Sequence, residues 1–298
     1  MPRPDRLRVD TTSDLTYEPP AALREAAARL PGCPGVYTFH GEEGDLPLYI
    51  GKSVHLRQRV LSHLRNPDEV RMLRQTRRIS HICTAGEVGA LLLEAQLIKQ
   101  QQPLMNQRLR RNRQLCALHL ADSGQPVVVD ARSVNFAHTP RLYGLFASRH
   151  AALERLWQLA DEHRLCGVAL GLERAATGKP CFRSMVKRCA GACCGLEPLD
   201  AHHARLQAAL AELQVACWPY PGAVGLVETC QPPSGSPQPA EGQPRRQIHV
   251  VRDWCYLGSA PSLTAARKLD TVAAGFDGDG YLILCKPLLS GALKVLPL

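Results

Sequence analysis

The stretch PLYIGKSVHLRQRVLSHL concentrates side chains that can bind a phosphate ester at a point where a strand-like run gives way to a helical pattern. Tyr49 and Lys52 lie at this junction. His55, Arg59 and His63 follow at intervals of four residues, so they share one face of the predicted helix. The planar guanidinium of arginine matches phosphate oxygens in pairs. The residues alone leave two interpretations open, a phosphate site and a solvated stripe on a surface helix.

Glu94 is an acidic residue on an otherwise apolar helical face. Its neighbours three and four positions away are Ala90, Leu91, Leu97 and Ile98. Because an unpaired carboxylate is unfavourable in apolar surroundings, it either reaches solvent at the rim of the face or has a cationic partner. One carboxylate with several waters is the usual way in which Mg²⁺ sits in phosphoryl-transfer sites.

The positive charge of the chain is concentrated in one segment. The 298 residues carry a formal charge of +9. Residues 52–113 hold thirteen Lys or Arg and four Asp or Glu, and thirteen minus four equals that whole excess. A basic surplus of this kind favours nucleic acid as a partner, although a solvated basic face would have the same composition.

The 12 cysteines favour thiols or metal ligands over disulfides, because MPRPDRLRVDTTSD has no apolar core of a secretory signal. No apolar run is long enough for a membrane span, so we expect a cytoplasmic protein. Four cysteines form the pattern C-x14-C-x7-C-x3-C, namely Cys166, Cys181, Cys189 and Cys193, with Cys194 as an adjacent spare. The pattern lacks the C-x2-C pairs of zinc ribbons and leaves a [4Fe–4S] cluster, another metal and buried thiols all open.

The elements that must position these groups follow from periodicity and turn residues. We predict strands over 35–40, 47–51 and 79–85, and helices over 23–30, 53–64, 68–78 and 85–102. Ser53 is the predicted N-cap of the second helix, and Thr84 with Glu87 is a predicted capping box for the last. This order indicates a small α+β domain over 31–107.

The remainder of the chain also reads as α+β. Strands are predicted over 115–120, 126–132 and 141–147, helices over 149–164, 200–216 and 262–274, and a tight turn at 277–280 followed by a strand. The predicted segments are a tail with a short helix (1–30), the small domain (31–107), a strand–helix connection (108–164), a Cys-rich metal-binding segment (165–200) and a C-terminal α+β region (201–298) with a Pro-rich linker (231–244).

Six ordered features resemble the GIY-YIG nuclease family. Gly35-Val36-Tyr37 and Tyr49-Ile50-Gly51 match its two signature tripeptides. The other four are Lys52, Arg59, Glu94 and Asn106, in the places of its lysine, helical arginine, metal-binding glutamate and closing asparagine. The amino-acid sequence in and around these motifs is most similar to that of the UvrC-type repair excinucleases and of their short homologues. His63 departs from that group, which usually has a tyrosine there.

The resemblance implies an α+β nuclease domain with a central three-stranded antiparallel sheet flanked by helices. It also implies one 3′-side incision in damaged double-stranded DNA, made together with UvrB after UvrA, with no membrane involved. A GIY-YIG nuclease for other DNA structures and a non-catalytic nucleic-acid-binding metalloprotein are the alternatives. In this scheme the DNA contacts include Arg57, Arg74, Arg78, Arg108, Arg110 and Arg111.

The mechanism that the family implies is phosphodiester hydrolysis with one Mg²⁺ or Mn²⁺ held by Glu94. Tyr49, assisted by Tyr37, takes or orients the proton of the attacking water, which requires Lys52, Arg59 and the metal to lower the phenol pKa. Arg59 stabilises the charge of the transition state.

Because His63 departs from the family, its role stays open between positioning phosphate and moving a proton, both of which an imidazole is able to do. Two further assignments come from the same resemblance. Asn106 ties the domain together. The segment KPCFRSMVKRCAGACCG resembles the UvrC cysteine motif. That likeness implies a [4Fe–4S] cluster on the four cysteines named above.

Overall fold

The computed structural model describes residues 17–42, 47–106, 115–176, 178–230, 239–269 and 276–298. These residues form nine α-helices, three short 3-10 segments and ten strands. Within the described ranges the strands make three sheets, with orders β2-β1-β3, β5-β4-β6 and β10-β7-β8-β9, and every pairing is antiparallel. The predicted α+β class is confirmed.

The N-terminal module (residues 17–106) is built on the first sheet, as the sequence predicted. Its strands are β1 (Gly35–His40), β2 (Pro47–Ser53) and β3 (Arg78–Cys83). Four helices surround it: α1 (Ala21–Ala28), α2 (Leu56–Leu64), α3 (Val70–Gln75) and α4 (Glu87–Gln101).

Both faces of this sheet are covered because its side chains alternate between two helical layers. Tyr37 and Phe39 join a cluster with Val60 of α2 on one face. Val36 and Ile50 pack with Ile98 of α4 on the other. Residues placed at the end of β2 are therefore within reach of both layers.

The middle module (residues 115–213) consists of a sheet with helices packed against it. Its strands are β4 (Cys116–Leu120), β5 (Pro126–Asp130) and β6 (Leu142–Phe146). Its helices are α5 (Arg149–Glu162), α6 (Phe182–Met185) and α7 (Leu199–Leu210). Ser148 caps α5 through a hydrogen bond from the backbone N–H of Ala151 (3.1 Å).

The C-terminal module (residues 223–298) contains a four-stranded sheet. Its strands are β7 (Val224–Thr229), β8 (Arg246–Arg252), β9 (Cys255–Ala260) and β10 (Lys294–Pro297), and its helices are α8 (Leu263–Ala266) and α9 (Gly278–Leu289). The predicted turn at 277–280 and the strand predicted after it are both wrong, because these residues begin and form α9. Asp277 instead caps α9 by accepting a hydrogen bond from the N–H of Asp279 (3.2 Å), because an Asp-Gly sequence suits a helix start as well as a turn.

The predicted boundaries of two helices in the N-terminal module are also wrong. Ser53 ends β2, and the N-cap of α2 is His55, whose Nδ1 accepts a hydrogen bond from the N–H of Gln58 (3.3 Å). The predicted helix over 68–78 is shorter, ending at Gln75 before β3.

The capping box predicted for α4 does not form, because the partner of its N-terminus comes from the C-terminal module. The hydroxyl of Thr84 donates to the carbonyl of Gly86 (2.7 Å). The N–H groups of Val88 and Gly89 instead donate to Oε1 and Oε2 of Glu228 on β7, each at 2.9 Å. A carboxylate from a distant strand therefore supplies the cap that the local sequence lacks.

We predict that this cap makes stability depend on acidic pH. Burial by itself raises the pKa of Glu228, but hydrogen bonds from His249, Gly89 and Val88 outweigh it and hold that pKa below the ordinary 4.5. A lowered carboxyl pKa stabilises the fold above its unfolded value, and this stabilisation is lost as pH falls through the folded value. Urea unfolding at pH 7 should therefore find Glu228→Gln less stable by about 1–3 kcal/mol.

The difference between wild type and Glu228→Gln should shrink as pH falls below about 4.5 and through the lowered folded-state pKa of Glu228. Exposed Glu212, replaced in Glu212→Gln, is the matched control. A difference that stays constant from pH 7 to pH 3 contradicts the assignment.

Candidate active site

The two tyrosines lie on the same face of the first sheet because of the strand register. Tyr37 pairs with Gly51, and Phe39 pairs with Tyr49. The ring centroids of Tyr37 and Tyr49 are 6.3 Å apart. His63 of α2 completes the group, with centroid distances of 5.3 Å to Tyr37 and 5.8 Å to Tyr49. The structure thus brings both tyrosines and His63 together.

A hydrogen-bonded chain leads from Tyr37 through His63 to a carboxylate. His63 Nδ1 contacts Oε2 of Glu69, and since a carboxylate only accepts, this nitrogen carries the proton. His63 Nε2 then accepts from the hydroxyl of Tyr37 (2.6 Å). Asn66 Nδ2 donates to the other oxygen of Glu69 (3.0 Å). Tyr37 is 1% exposed, so its proton has a route to His63 that is shielded from water.

The phenols do not have the lowered pKa that the mechanism implied by the family requires from Lys52 and Arg59. Burial, and next the proximity of Tyr49, raise the pKa of Tyr37, and the approach of Arg59 opposes this only in part. Burial, followed by the negative charge of Glu94, also raises the pKa of Tyr49. In the protein alone both phenols are therefore protonated at neutral pH.

Glu94 reaches the end of β2 from the opposite helical layer. Its Oε1 accepts a hydrogen bond from the backbone N–H of Lys52 (2.9 Å). Lys52 directs its ammonium elsewhere, to Oε1 of Glu87 (2.6 Å). Burial raises the pKa of Glu94 above its ordinary value, despite the Lys52 N–H and the charges of Lys52 and Arg59. Among the described residues, Glu94 is therefore neither fully solvated nor part of a salt bridge.

These donors fit a hard divalent cation. Among the described residues, Oε2 of Glu94 accepts no hydrogen bond, and a half-buried carboxylate oxygen left open in this way is a ligand that Mg²⁺ or Mn²⁺ prefers. A cation there would offset the burial that raises the pKa of Glu94. The side chain that would hold the metal is thus Glu94, with water supplying the other ligands.

Gly51 gives the Tyr37 hydroxyl its place, and its replacement tests the geometry. A Cβ atom on Gly51 would lie 2.3 Å from Tyr37 Oη and 2.9 Å from Tyr49 Cε1. We expect Gly51→Ala to displace the phenols and to lower kcat for DNA cleavage about 100-fold, because small misplacements of reacting groups have effects of this size. Gly222→Ala is the matched control, since a Cβ there meets nothing within 4 Å. Cleavage by Gly51→Ala at the wild-type rate would show that the phenols do not need this position.

Asn106 and the basic residues lie around this centre. The side chain of Asn106 donates to Ile50 O (2.8 Å) and accepts from Ile50 N (2.9 Å), so it fastens β2 from outside the sheet. Arg57 donates through Nε to Leu30 O (2.6 Å) and remains exposed. Arg74 and Arg78 are also exposed. The other three arginines predicted to contact DNA lie outside the described residues: Arg108, Arg110 and Arg111.

The four predicted cysteine ligands converge in the middle module. The Sγ atoms of Cys166, Cys181 and Cys189 lie within 4.8 Å of one another, and those of Cys181 and Cys189 are 3.7 Å apart. Cys193 Sγ accepts a hydrogen bond from the N–H of Cys181 (3.4 Å). Cys194 Sγ contacts the carbonyl of Gly191 at 3.3 Å, so the spare cysteine makes a backbone contact of its own.

The chemistry of this group fits a thiolate-bound metal. Burial, together with the neighbouring thiols, raises the pKa of Cys189 and Cys193 to about 12. Four neighbouring thiols, three of them buried, ionise together only when a cation compensates their charge. The donor set suits both tetrahedral zinc and a [4Fe–4S] cluster.

Sequence reasoning missed Glu69 and Glu228. Glu69 returns to His63 because Asn66 caps the short turn Pro67–Glu69 by accepting from the N–H of Asp68 (3.1 Å). The Asn66-Pro67 pair indicates that turn, but it does not indicate that the side chain of Glu69 contacts His63. No local signal could reveal Glu228, because its partners lie about 140 residues earlier in the chain.

The sheet, the paired tyrosines, the helical arginine and the helical glutamate together define a nuclease domain of the GIY-YIG class. The UvrC-like GIY-YIG domain family matches residues 33–107. The middle domain of UvrC/Cho excinucleases matches residues 115–212, and the excinuclease Cho C-terminal domain matches residues 223–298.

The relatives extend this match over nearly the whole chain. Excinuclease cho of Salmonella typhi is 55% identical over 291 residues, which cover 98% of this chain and 95% of that protein. Excinuclease cho of Escherichia coli K12 is 54% identical, covering 97% and 93% of the two chains. The chain belongs to the excinuclease Cho family, and the predicted resemblance to short UvrC homologues is confirmed.

More distant proteins share only part of the chain. UvrABC system protein C of Psychrobacter cryohalolentis is 34% identical over 183 residues, covering 59% of this chain and 29% of that protein. Among solved structures, the GIY-YIG N-terminal endonuclease domain of UvrC from Thermotoga maritima, bound to magnesium as its catalytic divalent cation, is 31% identical. The matched region covers 29% of this chain and 98% of the Thermotoga chain, with a TM-score of 0.27. In the described part of the chain no helix is long and apolar enough to cross a bilayer.

Proposed function

We propose that the protein is a damage-specific DNA endonuclease of nucleotide excision repair. It acts in the cytoplasm and makes one incision on the 3′ side of a lesion, with UvrB as its partner and UvrA acting upstream. The observation that carries the proposal is the open carboxylate oxygen of Glu94, in a site where the charge of Glu94 acts on the half-buried Tyr49. A single cation site beside paired phenols suits the hydrolysis of one phosphodiester bond.

In this proposal the residues of the chain divide the work of hydrolysis. A metal held by Glu94 would supply Lewis acidity for the scissile phosphate and for the attacking water. Tyr49 orients the attacking water, while Tyr37 accepts its proton as the phenol proton passes to His63 Nε2. Glu69 holds the imidazolium that results. Arg59 stabilises the charge that develops on the phosphate oxygens.

His63 takes a role that needs no lowered phenol pKa. A phenol whose own proton is accepted by a carboxylate-backed imidazole acts as a base without ever existing as a free phenolate. This geometry favours proton transfer over phosphate positioning as the role of His63. It also makes Tyr37, with its hydroxyl 2.6 Å from His63, the base, and Tyr49 the assistant.

The exposed arginines would hold the DNA without reading its bases. Arg57, Arg74 and Arg78 are exposed on the nuclease domain, and such side chains bind phosphates through charge and hydrogen bonds. Binding would therefore weaken steeply with salt.

The test is an incision assay on a duplex carrying one defined lesion. Full-length protein is incubated with UvrA, UvrB, ATP and Mg²⁺, and the products are mapped on both labelled strands. We expect one cut, 3′ to the lesion, that requires UvrB and the divalent ion. Equal cutting of undamaged duplex without UvrA and UvrB would support a general GIY-YIG nuclease instead.

We further propose that Cys166, Cys181, Cys189 and Cys193 hold a [4Fe–4S] cluster. Support comes from the four converging thiols and from the match of residues 115–212 to the middle domain of UvrC/Cho excinucleases. Protein purified without oxygen should be brown and contain about four irons per chain, the number in such a cluster. A colourless protein with one zinc per chain would overturn the assignment. Cys194→Ser should keep the metal, because Cys194 makes a backbone contact of its own.

A further inference from the structure

The helix that carries Glu94 is fastened at both ends by the C-terminal module. At its N-terminus, Glu228 accepts from the N–H groups of Val88 and Gly89 at 2.9 Å each. Near its C-terminus, the ammonium of Lys99 bonds Asp277 Oδ1 at 2.6 Å and Asp279 Oδ2 at 3.0 Å. Leu92, between these attachments, is buried in a core cluster formed by residues of the middle and C-terminal modules.

The N-terminal attachment is a built contact and not an incidental one. Glu228 is 7% exposed and His249 is fully buried. His249 contacts Glu228 Oε2 through Nε2 (3.0 Å) and Ser259 Oγ through Nδ1 (2.7 Å). A Cβ atom on Gly86 would lie 2.3 Å from Glu228 Oε1, so the approach of this carboxylate requires glycine there.

Two further side chains of the C-terminal module bind the backbone just before the same helix. The N–H of Ala85 donates to Gln247 Oε1 on β8 (2.7 Å). Gln243 donates through Nε2 to the carbonyl of Thr84 (3.3 Å). Side chains of the C-terminal module thus hold the backbone between β3 and α4 at four residues: Thr84, Ala85, Val88 and Gly89.

These contacts bear on the active site because a helix moves as a unit. Glu94 lies five residues beyond Gly89, or about 7.5 Å along the axis at 1.5 Å per residue. Because the Glu228 carboxylate accepts hydrogen bonds from two successive N–H groups, it fixes the axial position of α4. The ion pairs of Lys99 with Asp277 and Asp279 fix the other end of the helix. A shift or rotation of α4 would carry Glu94 away from the backbone N–H of Lys52, its partner on β2.

We infer that Glu228 is a positioning residue for catalysis, and that the C-terminal module completes the nuclease site by setting where the Glu94 carboxylate lies. The inference rests on the proposed function, in which Glu94 holds the divalent cation. It gives the C-terminal module a role in metal binding although none of its residues touches the metal or DNA in this scheme. Residues that orient a metal ligand commonly change metal affinity or activity 10- to 100-fold when replaced.

The test measures cation binding directly, in addition to incision. Mn²⁺ is titrated into full-length protein, and free Mn²⁺ is followed by its electron paramagnetic resonance signal at a temperature where every variant is folded. We expect Glu228→Ala to weaken Mn²⁺ binding about 10- to 100-fold and to lower kcat, with the KM for DNA little changed. Glu228→Asp should recover part of both losses, and Glu212→Gln should behave as wild type.

A merely structural role for Glu228 gives a different pattern. In that case the folded fraction of Glu228→Ala would bind Mn²⁺ and cut DNA as wild type does, with only a lower Tm, and the inference would be overturned. If Glu228→Ala does not fold, Glu228→Gln decides in the same way, because its amide keeps the shape but offers one acceptor to two N–H groups. Glu94→Gln separates the two proposals, since wild-type Mn²⁺ binding by that variant would refute the proposed function itself.

Discussion

Glu94→Gln should lower the rate of incision by about a thousandfold or more, roughly 4 kcal/mol of lost transition-state stabilisation. Glutamine keeps the volume of the side chain, and its carbonyl oxygen can still accept the hydrogen bond from Lys52 N–H, which Oε1 of Glu94 accepts at 2.9 Å. What the variant lacks is the negative charge. The loss should therefore appear in kcat and in Mn²⁺ binding, with little change in DNA affinity or in Tm.

The change in stability gives this prediction its control. Burial raises the pKa of Glu94, which shows that its ionised form is unfavourable in the protein without a cation. Neutral glutamine should therefore leave the metal-free protein at least as stable as wild type at pH 7, while metal no longer raises its Tm. A Glu94→Gln protein that is both less stable and still stabilised by Mn²⁺ would show that the metal binds elsewhere.

The sequence was sufficient to predict groups whose relation is set by local geometry. Tyr37 and Tyr49 share a face because a hairpin of two short strands leaves few registers. The ends of the strands and helices were predicted less well. Ser53 and His55 are two residues apart and both are able to cap a helix, and only the continued pairing of β2 up to Ser53 decides between them.

Contacts across the modules were beyond reach for a different reason. The Thr84 and Glu87 pair satisfies the pattern of a capping box, yet the carboxylate of Glu228 occupies the N-terminus of α4. The carboxylate of Glu228 is buried and accepts two hydrogen bonds, so it outcompetes the exposed carboxylate of Glu87. Nothing in the spacing of residues 84–87 indicates this tertiary partner. Lys52 is similar, since its ammonium is drawn to Glu87 and away from the phenols.

The same distinction applies to the electrostatics of the site. Residue types indicated that cations near the phenols would lower their pKa, and Arg59 does act in that direction. The outcome is set by burial, which raises the pKa of both phenols and which the sequence does not quantify. The Glu69 carboxylate, found only in the structure, supplies the alternative through His63.

Tyr37→Phe should lower kcat about 10²- to 10⁴-fold, the range typical of losing a general base. The variant removes one oxygen from a ring that is 1% exposed and leaves the packing against Phe39 and His63 in place. Mn²⁺ binding at Glu94 should therefore persist, in contrast to the effect of Glu94→Gln.

Glu69→Gln tests whether Tyr37 acts through His63. Hydrogen bonds from His63 and Asn66 outweigh burial and lower the pKa of Glu69, so its carboxylate is ionised at neutral pH and favours the tautomer of His63 that accepts from Tyr37. Loss of that charge should slow incision by a factor of ten or more. Because the three groups act as one unit, Tyr37→Phe combined with Glu69→Gln should be little worse than Tyr37→Phe alone. Single-turnover incision rates measure this, and losses that multiply in the double variant would show that Tyr37 and Glu69 act separately.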